Sequence, residues 1–442
     1  MIRQGDRFDV LAGISTLLVD EAVGIINRVE EVRPDPGAPA FFHYAGLACN
    51  TRAFSRQQNF GNSGGASANR ERAVAKAIGE AVERYCSSLY DVEELALFAS
   101  SDASARHVAP SEFALHSPEQ YESPGFPWVP FEETTPVRWV LGRELPGGAE
   151  TFVPAAMVYV PYTYYRGTGD SPIAQPISTG LACHSSETAA AIGAICEVVE
   201  RDAFTLTWQA MQAPPQIRIE TLNDEAYDLV QRFERTGDKV VLFSLPTDHG
   251  LPTILAVLRG QSVHRPALVF AAATAPTPAG AVRSALEELA HTRRYSQQIT
   301  DRMKRLALVS DHANVVDQLD HLNVYCDHGN ARLADFLFQS NARLDYEELR
   351  GLESATGEET LQRVVEAIGA IGHRIVLVNL TSPDVQELGL TVVRAVVPGF
   401  HPLFMGHRIR ALGGTRLWEF PQRLGQRGIA RWVDNPAPHP YP

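Results

Sequence analysis

Two stretches of this 442-residue chain carry glutamates at helical spacing. The first, NSGGASANRERAVAKAIGEAVERY, holds Glu80, Glu83 and Arg84; the second, ISTGLACHSSETAAAIGAICEVVERDA, holds Glu197, Glu200 and Arg201. Each places a small-residue turn before a helix bearing E-x-x-E-R. Gly64 stands sixteen residues before Glu80, and Gly180 seventeen before Glu197. Such an internal echo points to two walls of one site or to an old duplication. Carboxylates three apart share a helix face and repel unless cations or protons compensate them. Mg2+ is the natural partner, because it takes oxygen ligands and is usually shared between one or two carboxylates and nucleotide phosphates.

Other chemistries lack their residues. There is no G-x-x-x-x-G-K-[ST] and no G-x-G-x-x-G opening a helix. H-E-x-x-H and paired C-x-x-C are missing, which argues against zinc. Cys183 and His184 are adjacent in sequence, an arrangement that does not orient a base on a nucleophile. The composition, 45% hydrophobic and 21% charged, is that of a globular protein. A net charge of −13 offers no footprint for nucleic acid or an anionic membrane. The start, MIRQGDRFDVLAGISTLL, lacks a secretory-signal layout, and no apolar run is long enough for a membrane span. Five scattered cysteines fit reduced thiols and a cytoplasmic location.

The elements that must position these groups follow from periodicity. Helical patterns cover about 70–90, 187–209, 280–300 and 357–371. Strand-like runs occur at 137–142, 151–160, 239–245, 253–258 and 374–380. Their mixture predicts an α+β fold, a large, mostly antiparallel sheet packed with helices. One body over 61–435 is expected, after an N-terminal appendage (1–60) and before a proline-rich tail (436–442). On a wheel, Val74, Ile78, Ala81, Val82, Tyr85 and Leu89 oppose Lys76, Glu80, Glu83 and Arg84, the pattern of an amphipathic helix with a solvated charged face. In the second helix Ala190, Gly193 and Ala194 flank the glutamates, leaving room for something to lie against them. The chain closes on PAPHPYP, and a terminal segment ordinarily frays.

The segments GGAS…AVAKAIGEAVERY, STGLACHSSETAAAIGAICEVVERDA and SALEELAHTRR, with the closing P-x-P-x-P, resemble the signatures of the YcaO family, and of its azoline-forming members in particular. The resemblance implies two related helix-bearing halves around one nucleotide site that binds ATP and Mg2+ without a P-loop. It implies a cyclodehydratase that phosphorylates a backbone amide oxygen of a ribosomally made precursor peptide while a Cys, Ser or Thr side chain attacks, giving thiazoline or oxazoline. Carried over by position, Glu80, Glu83, Glu197, Glu200 and Glu288 would be metal ligands. Together with Lys76, Thr179 and Arg283 they would also hold the nucleotide, while Arg84 and Arg201 would be structural partners of nearby carboxylates. Pro438, Pro440 and Pro442 would form a rod of fixed φ that brings the terminal carboxylate into the active site.

The sequence departs from the family pattern in places. Gly65 stands where a lysine is common, and Lys76 where a serine is; Lys76, on the Glu80 face, is expected to replace the missing cation. In the third segment His291 replaces a glutamine, and Glu287 is the alternative to Glu288. Some sixty residues before the first motif leave little room for a peptide-clamp domain. The resemblance therefore implies a separate ThiF-like, leader-binding partner, and it makes a homodimer reasonable. The competing readings are thioamide or amidine formation by the same family, and a non-catalytic protein of this fold that binds peptide or partner.

Overall fold

Strong helix formers (Ala, Glu, Arg and Lys) make up most of Arg70–Cys86, and the segment forms helix α1, capped by Asn69, whose side chain accepts the Arg72 N–H at 2.9 Å. Its buried residues (Ala73, Ala75, Ala77, Ile78, Gly79, Ala81, Val82, Tyr85 and Cys86) run around the helix rather than along one stripe. The expected solvated face is absent because α1 packs against two sheets. On one side lie β1 (Ile26–Glu31), β2 (Phe42–Ala48) and β3 (Asn62–Ser67), paired antiparallel in that order. On the other is a six-stranded sheet of β4 (Ala96–Ala99), β5 (Pro136–Leu145), β6 (Glu150–Pro154), β7 (Leu181–His184), β13 (Ile375–Asn379) and β14 (Thr391–Val396). Its core joins Ile78, Ala81, Val82 and Tyr85 to Val376, Val378, Val392 and Val396.

Gly64 and Gly65 lie inside β3, not in a turn. A Cβ on Gly65 would stand 2.3 Å from the Ala73 carbonyl oxygen and 2.7 Å from the Lys76 Cβ. The small residues are there so that helix and strand can touch. The space a side chain at 65 would need is filled by the helix backbone and the stem of Lys76.

These elements belong to the first of two compact units in the computed structural model, which describes residues 13–425, 429 and 433–441. Unit one comprises Met1–Val32, Phe42–Val198 and Ser354–Phe400; unit two comprises Arg33–Phe41, Val199–Glu353 and His401–Pro442. Helix α2 (Glu187–Gln209) gives its first half to unit one and its second half to unit two. Unit two holds a five-stranded sheet of β8 (Gln216–Ile217), β9 (Lys239–Leu245), β10 (Thr253–Arg259), β11 (Leu268–Thr274) and β12 (Arg343–Leu344). Strands β10 and β11 are buried almost throughout, which accounts for unbroken apolar runs without alternation. Helices α3 (Asp224–Glu234) and α4 (Pro278–Arg302) pack against this sheet. The fold is thus α+β with antiparallel sheets and packed helices, although its strands are divided among three sheets rather than one. Among the described residues no helix is long and apolar enough to cross a membrane.

The tail does not fray. Ala437 to Tyr441 is buried in unit two. Alternate prolines remove alternate N–H donors, so the segment brings mainly carbonyls to be satisfied. Side chains meet three in succession: Trp208 Nε1–H donates to Ala437 O (3.1 Å), Tyr325 Oη–H to Pro438 O (2.6 Å) and His321 Nδ1–H to His439 O (2.7 Å). His321 Nε2 then accepts the Gly406 N–H at 3.1 Å, so this ring must be neutral. The His439 ring stacks on it at 3.8 Å and donates Nε2–H to Phe404 O.

Burial pushes His321 and His401 down to about 4, and His439 well below the ordinary imidazole value. The unfolded chain would protonate these rings near pH 6.5. Their contribution to stability is therefore complete above that pH and is lost as pH falls from about 6.5 toward 4, at roughly 1.4 kcal/mol per histidine per pH unit. The thermal midpoint of the protein should fall steeply as pH drops from 6.5 toward 4. A midpoint unchanged down to pH 5 would show that these rings accept protons without strain.

Candidate functional site

The two glycine-to-glutamate spacings correspond to two hydrogen bonds. Gly64 N–H donates to Glu80 Oε2 at 2.7 Å, and Gly180 N–H to Glu197 Oε2 at 3.1 Å. In each device a strand or turn amide tethers the first glutamate of the E-x-x-E pair on the following helix. Gly180 adopts φ +88°, and a Cβ there would meet the Ala395 carbonyl oxygen at 2.5 Å, so the residue serves both the turn and the contact. A third bond joins the devices: Cys183 N–H, on β7, donates to Glu83 Oε1 at 2.7 Å. Unit one thereby brings Glu80 and Glu197 into electrostatic reach of Glu83.

Their charges are compensated unequally. Arg84, one turn on, donates from Nε (3.1 Å) and Nη2 to Glu80 Oε1. Glu83 has less help. Burial raises its carboxyl well above the usual carboxylate range and the charge of Glu197 adds to this, against the opposing Cys183 N–H. Thr179, half-buried, precedes the Gly180 turn, and Lys76 is half-buried on α1.

Unit two holds the other candidates. Glu200 accepts the Tyr441 hydroxyl, whose oxygen also lies 3.3 Å from the Ala272 amide nitrogen on β11. Arg201 stacks on the Tyr441 ring at 4.4 Å, with Nε 3.5 Å from Glu200 Oε1. Burial and the charge of Glu200 hold the Tyr441 phenol far above its usual range. On α4, Glu287 is buried, whereas Glu288 is 44% exposed, 3.6 Å from His291 Nδ1, and its charge reaches Tyr441. Arg283 pairs with Glu225 of α3 at 3.4 Å. Pro438 and Pro440 are buried; Pro442 lies outside the described residues.

Sequence reasoning missed Arg394. It sits on β14 between Val392 and Val396, is 4% exposed, and feels the charge of Glu197. The available signal was one charged residue within the apolar run LTVVRAVVPG.

The model of the YcaO cyclodehydratases, described as ATP- and Mg2+-binding, matches residues 64–401. The chain belongs to the YcaO family. A heterocyclase solved with substrate and cofactor superposes with a TM-score of 0.83 at 19% identity, over 99% of this YcaO chain and 57% of the other. The YcaO protein of Methanopyrus kandleri, bound to AMPPCP and Mg2+, gives 0.62 at 21% identity, covering 90% and 91%. These likenesses establish the fold. A protein encoded in the tfuA 3′ region of Rhizobium leguminosarum bv. trifolii is 25% identical over 62% of this chain and 63% of its own length. One from Methanothermobacter thermautotrophicus is 26% identical over 78% and 85%. The YcaO chain therefore spans under two thirds of the rhizobial relative and of the heterocyclase.

Glu83 provides a test of the charge imbalance. A carboxyl whose folded pKa is raised supports folding when protonated and loses that support as pH rises through the folded value. Glu83→Gln keeps an acceptor for Cys183 N–H without the charge. Ligand-free Glu83→Gln protein should melt at or above the wild-type temperature at pH 8, with the gap closing by pH 5. A variant markedly less stable at pH 8 would mean that the ionised carboxylate is well compensated.

Proposed function

We propose that this YcaO protein is an ATP- and Mg2+-dependent cyclodehydratase acting on a ribosomally made peptide. The observation that carries the reading is the pair of glycine-tethered glutamates joined by Cys183 N–H onto Glu83, because it gathers three carboxylates, of which Glu83 is poorly compensated. An all-oxygen donor set of this kind fits Mg2+, which commonly completes its shell with phosphates and water. Among the described residues no three carboxylate, imidazole or thiol groups stand close enough to hold a metal ion unaided.

In unit one the proposed ligands are Glu80, Glu83 and Glu197, with Lys76 and Thr179 toward the nucleotide. In unit two they are Glu200 and Glu288, with Arg283 as a nucleotide contact. Bound Mg2+-ATP would supply a phosphoryl group to the peptide amide oxygen, turning a poor leaving group into phosphate as a Cys, Ser or Thr side chain closes the ring. This chain contributes orientation. The backbone amides fix the carboxylate rotamers, Arg84 holds Glu80, and Tyr441 fixes Glu200. Such preorganised charge is the main protein contribution to phosphoryl transfer. The rod through Pro438 and Pro440 is proposed to serve the peptide step, with Pro442 beyond it.

The Escherichia coli microcin synthetase McbBCD, solved with pro-MccB17 bound, shares the fold at a TM-score of 0.56. By that analogy a precursor peptide is the proposed substrate. A separate leader-binding protein of ThiF-like type and a homodimer are the proposed partners, and the cytoplasm the proposed location.

The deciding experiment is calorimetric titration of the full chain with Mg2+-ATP, alongside Glu197→Gln and Tyr441→Phe. Saturable binding is expected for the wild type, with affinity lowered most in Glu197→Gln, which loses a proposed ligand, and by about 10–100-fold in Tyr441→Phe, which loses the hydroxyl that fixes Glu200. Tyr441→Phe should also slow water loss from a Cys-containing precursor peptide, followed by mass spectrometry. Failure of the wild type to bind Mg2+-ATP would favour the non-catalytic, peptide-binding alternative.

A further inference from the structure

Val392, Arg394 and Val396 occupy alternate positions on β14, so all three side chains leave the same face of the sheet. The two valines belong to the apolar core beneath α1, together with Val376 and Val378 of β13. Arg394 is thus a guanidinium set into an apolar row. It is 4% exposed, and neither its Nε nor its Nη1 has a hydrogen-bond partner. Burying a cation with unmet donors is costly. Elsewhere the chain meets that cost directly: buried Arg416 donates Nε and Nη2 to Asp202 and Nη1 and Nη2 to Asp248, at 2.8–3.0 Å.

The surroundings of Arg394 indicate what is missing. Glu197 is the charge that acts on it, yet the free Nε and Nη1 make no hydrogen bond to that carboxylate. Glu197 is also tethered by Gly180 N–H; across the β7–β14 ladder Arg394 pairs with Leu181, and the next residue, Ala395, donates its N–H to Gly180 O at 2.8 Å. A planar fork of donors beside a cluster of carboxylates matches a tetrahedral anion that a metal ion would bring with it. A water molecule could accept one of these hydrogen bonds but would leave the buried charge unanswered.

We propose that Arg394 is a phosphate-binding subsite of the nucleotide cradle, donating Nε–H and Nη1–H to an anionic oxygen of a nucleoside polyphosphate. The proposal rests on the nucleotide-binding reading above. It makes Arg394, rather than a lysine in the glycine-rich segment, the internal phosphate cation of unit one.

The test uses the full chain as wild type, Arg394→Met and Arg394→Lys. Calorimetry measures affinity for Mg2+-ATP and for Mg2+-tripolyphosphate, and thermal melting follows the ligand-free proteins. Arg394→Met should weaken both ligands at least tenfold and by similar factors, while ligand-free melting stays level or rises, because an apolar side chain of similar length replaces an unpaired buried charge. Arg394→Lys, which keeps the charge without the fork, should fall between. Arg394→Met binding Mg2+-ATP as tightly as wild type overturns the subsite while leaving the proposed function standing. So does a loss for Mg2+-ATP without a matching loss for tripolyphosphate, since the effect would then act at the nucleoside end. Should Arg394→Met not fold, wild-type affinity for both ligands in Arg394→Gln has the same force. Absence of Mg2+-ATP binding by the wild type overturns the proposed function and the subsite with it.

Discussion

Three backbone amides hold the carboxylates of unit one: Gly64 on Glu80, Gly180 on Glu197, and Cys183 on Glu83. The surrounding architecture answers the requirement that these amides reach these oxygens. A peptide N–H can approach a helical glutamate only where strand and helix are nearly in contact, hence the glycines of β3 and the alanines and glycine of α1 facing them. The amides also offer fixed dipoles in place of mobile cations, which partly offset the mutual repulsion of the carboxylates. Glu83 retains part of that repulsion.

Unit two solves a different problem with the same economy of donors. Its closing segment is buried, yet nearly every second residue there lacks an N–H. Carbonyls therefore dominate its demand, and Trp208, Tyr325 and His321 supply one donor each. The aromatic rings that pack around Tyr441 also carry the polar atoms that fix the main chain. Recognition of the segment is thus built from core residues, and a change in any of them alters packing and hydrogen bonding together.

Helix α2 was legible in the sequence from end to end, because a long periodic run with few polar interruptions leaves its boundaries to the flanking Ser-Ser and Pro-Pro residues. The E-x-x-E spacing and the two glycine offsets were legible because they are local. What escaped was set by tertiary contact. NSGGAS has none of the residues that favour strands, and it becomes β3 because only small residues fit beneath α1. Phe42–Ala48 pairs with it, and Ile26–Glu31 pairs with Phe42–Ala48, across intervening loops that carry no sequence mark of their partner. Arg394 lies on Thr391–Val396, a strand that the periodicity reading did not include. Its meaning depends on β7 and α2, far away in sequence. The closing prolines read equally well as a loose end or a buried rod until the donors opposite them were placed.

Unit one is discontinuous: after Val198 the chain departs, and it returns only at Ser354. The strand bearing Arg394 pairs with β7, and its Ala395 amide closes on Gly180. During synthesis the first carboxylate-bearing helices therefore emerge well before the strand that completes their sheet. At roughly 5–20 residues per second, the intervening segment takes on the order of ten to thirty seconds to make. Through that interval β7, which in the finished sheet pairs with β14, has no strand beside it, and the acidic helices lack the buried cation Arg394. Closure then joins partners distant in the chain, which slows the search for native contacts far more than it lowers the final stability. The nascent chain thus has a predictable window in which a chaperone, or a neighbouring strand edge, competes for β7.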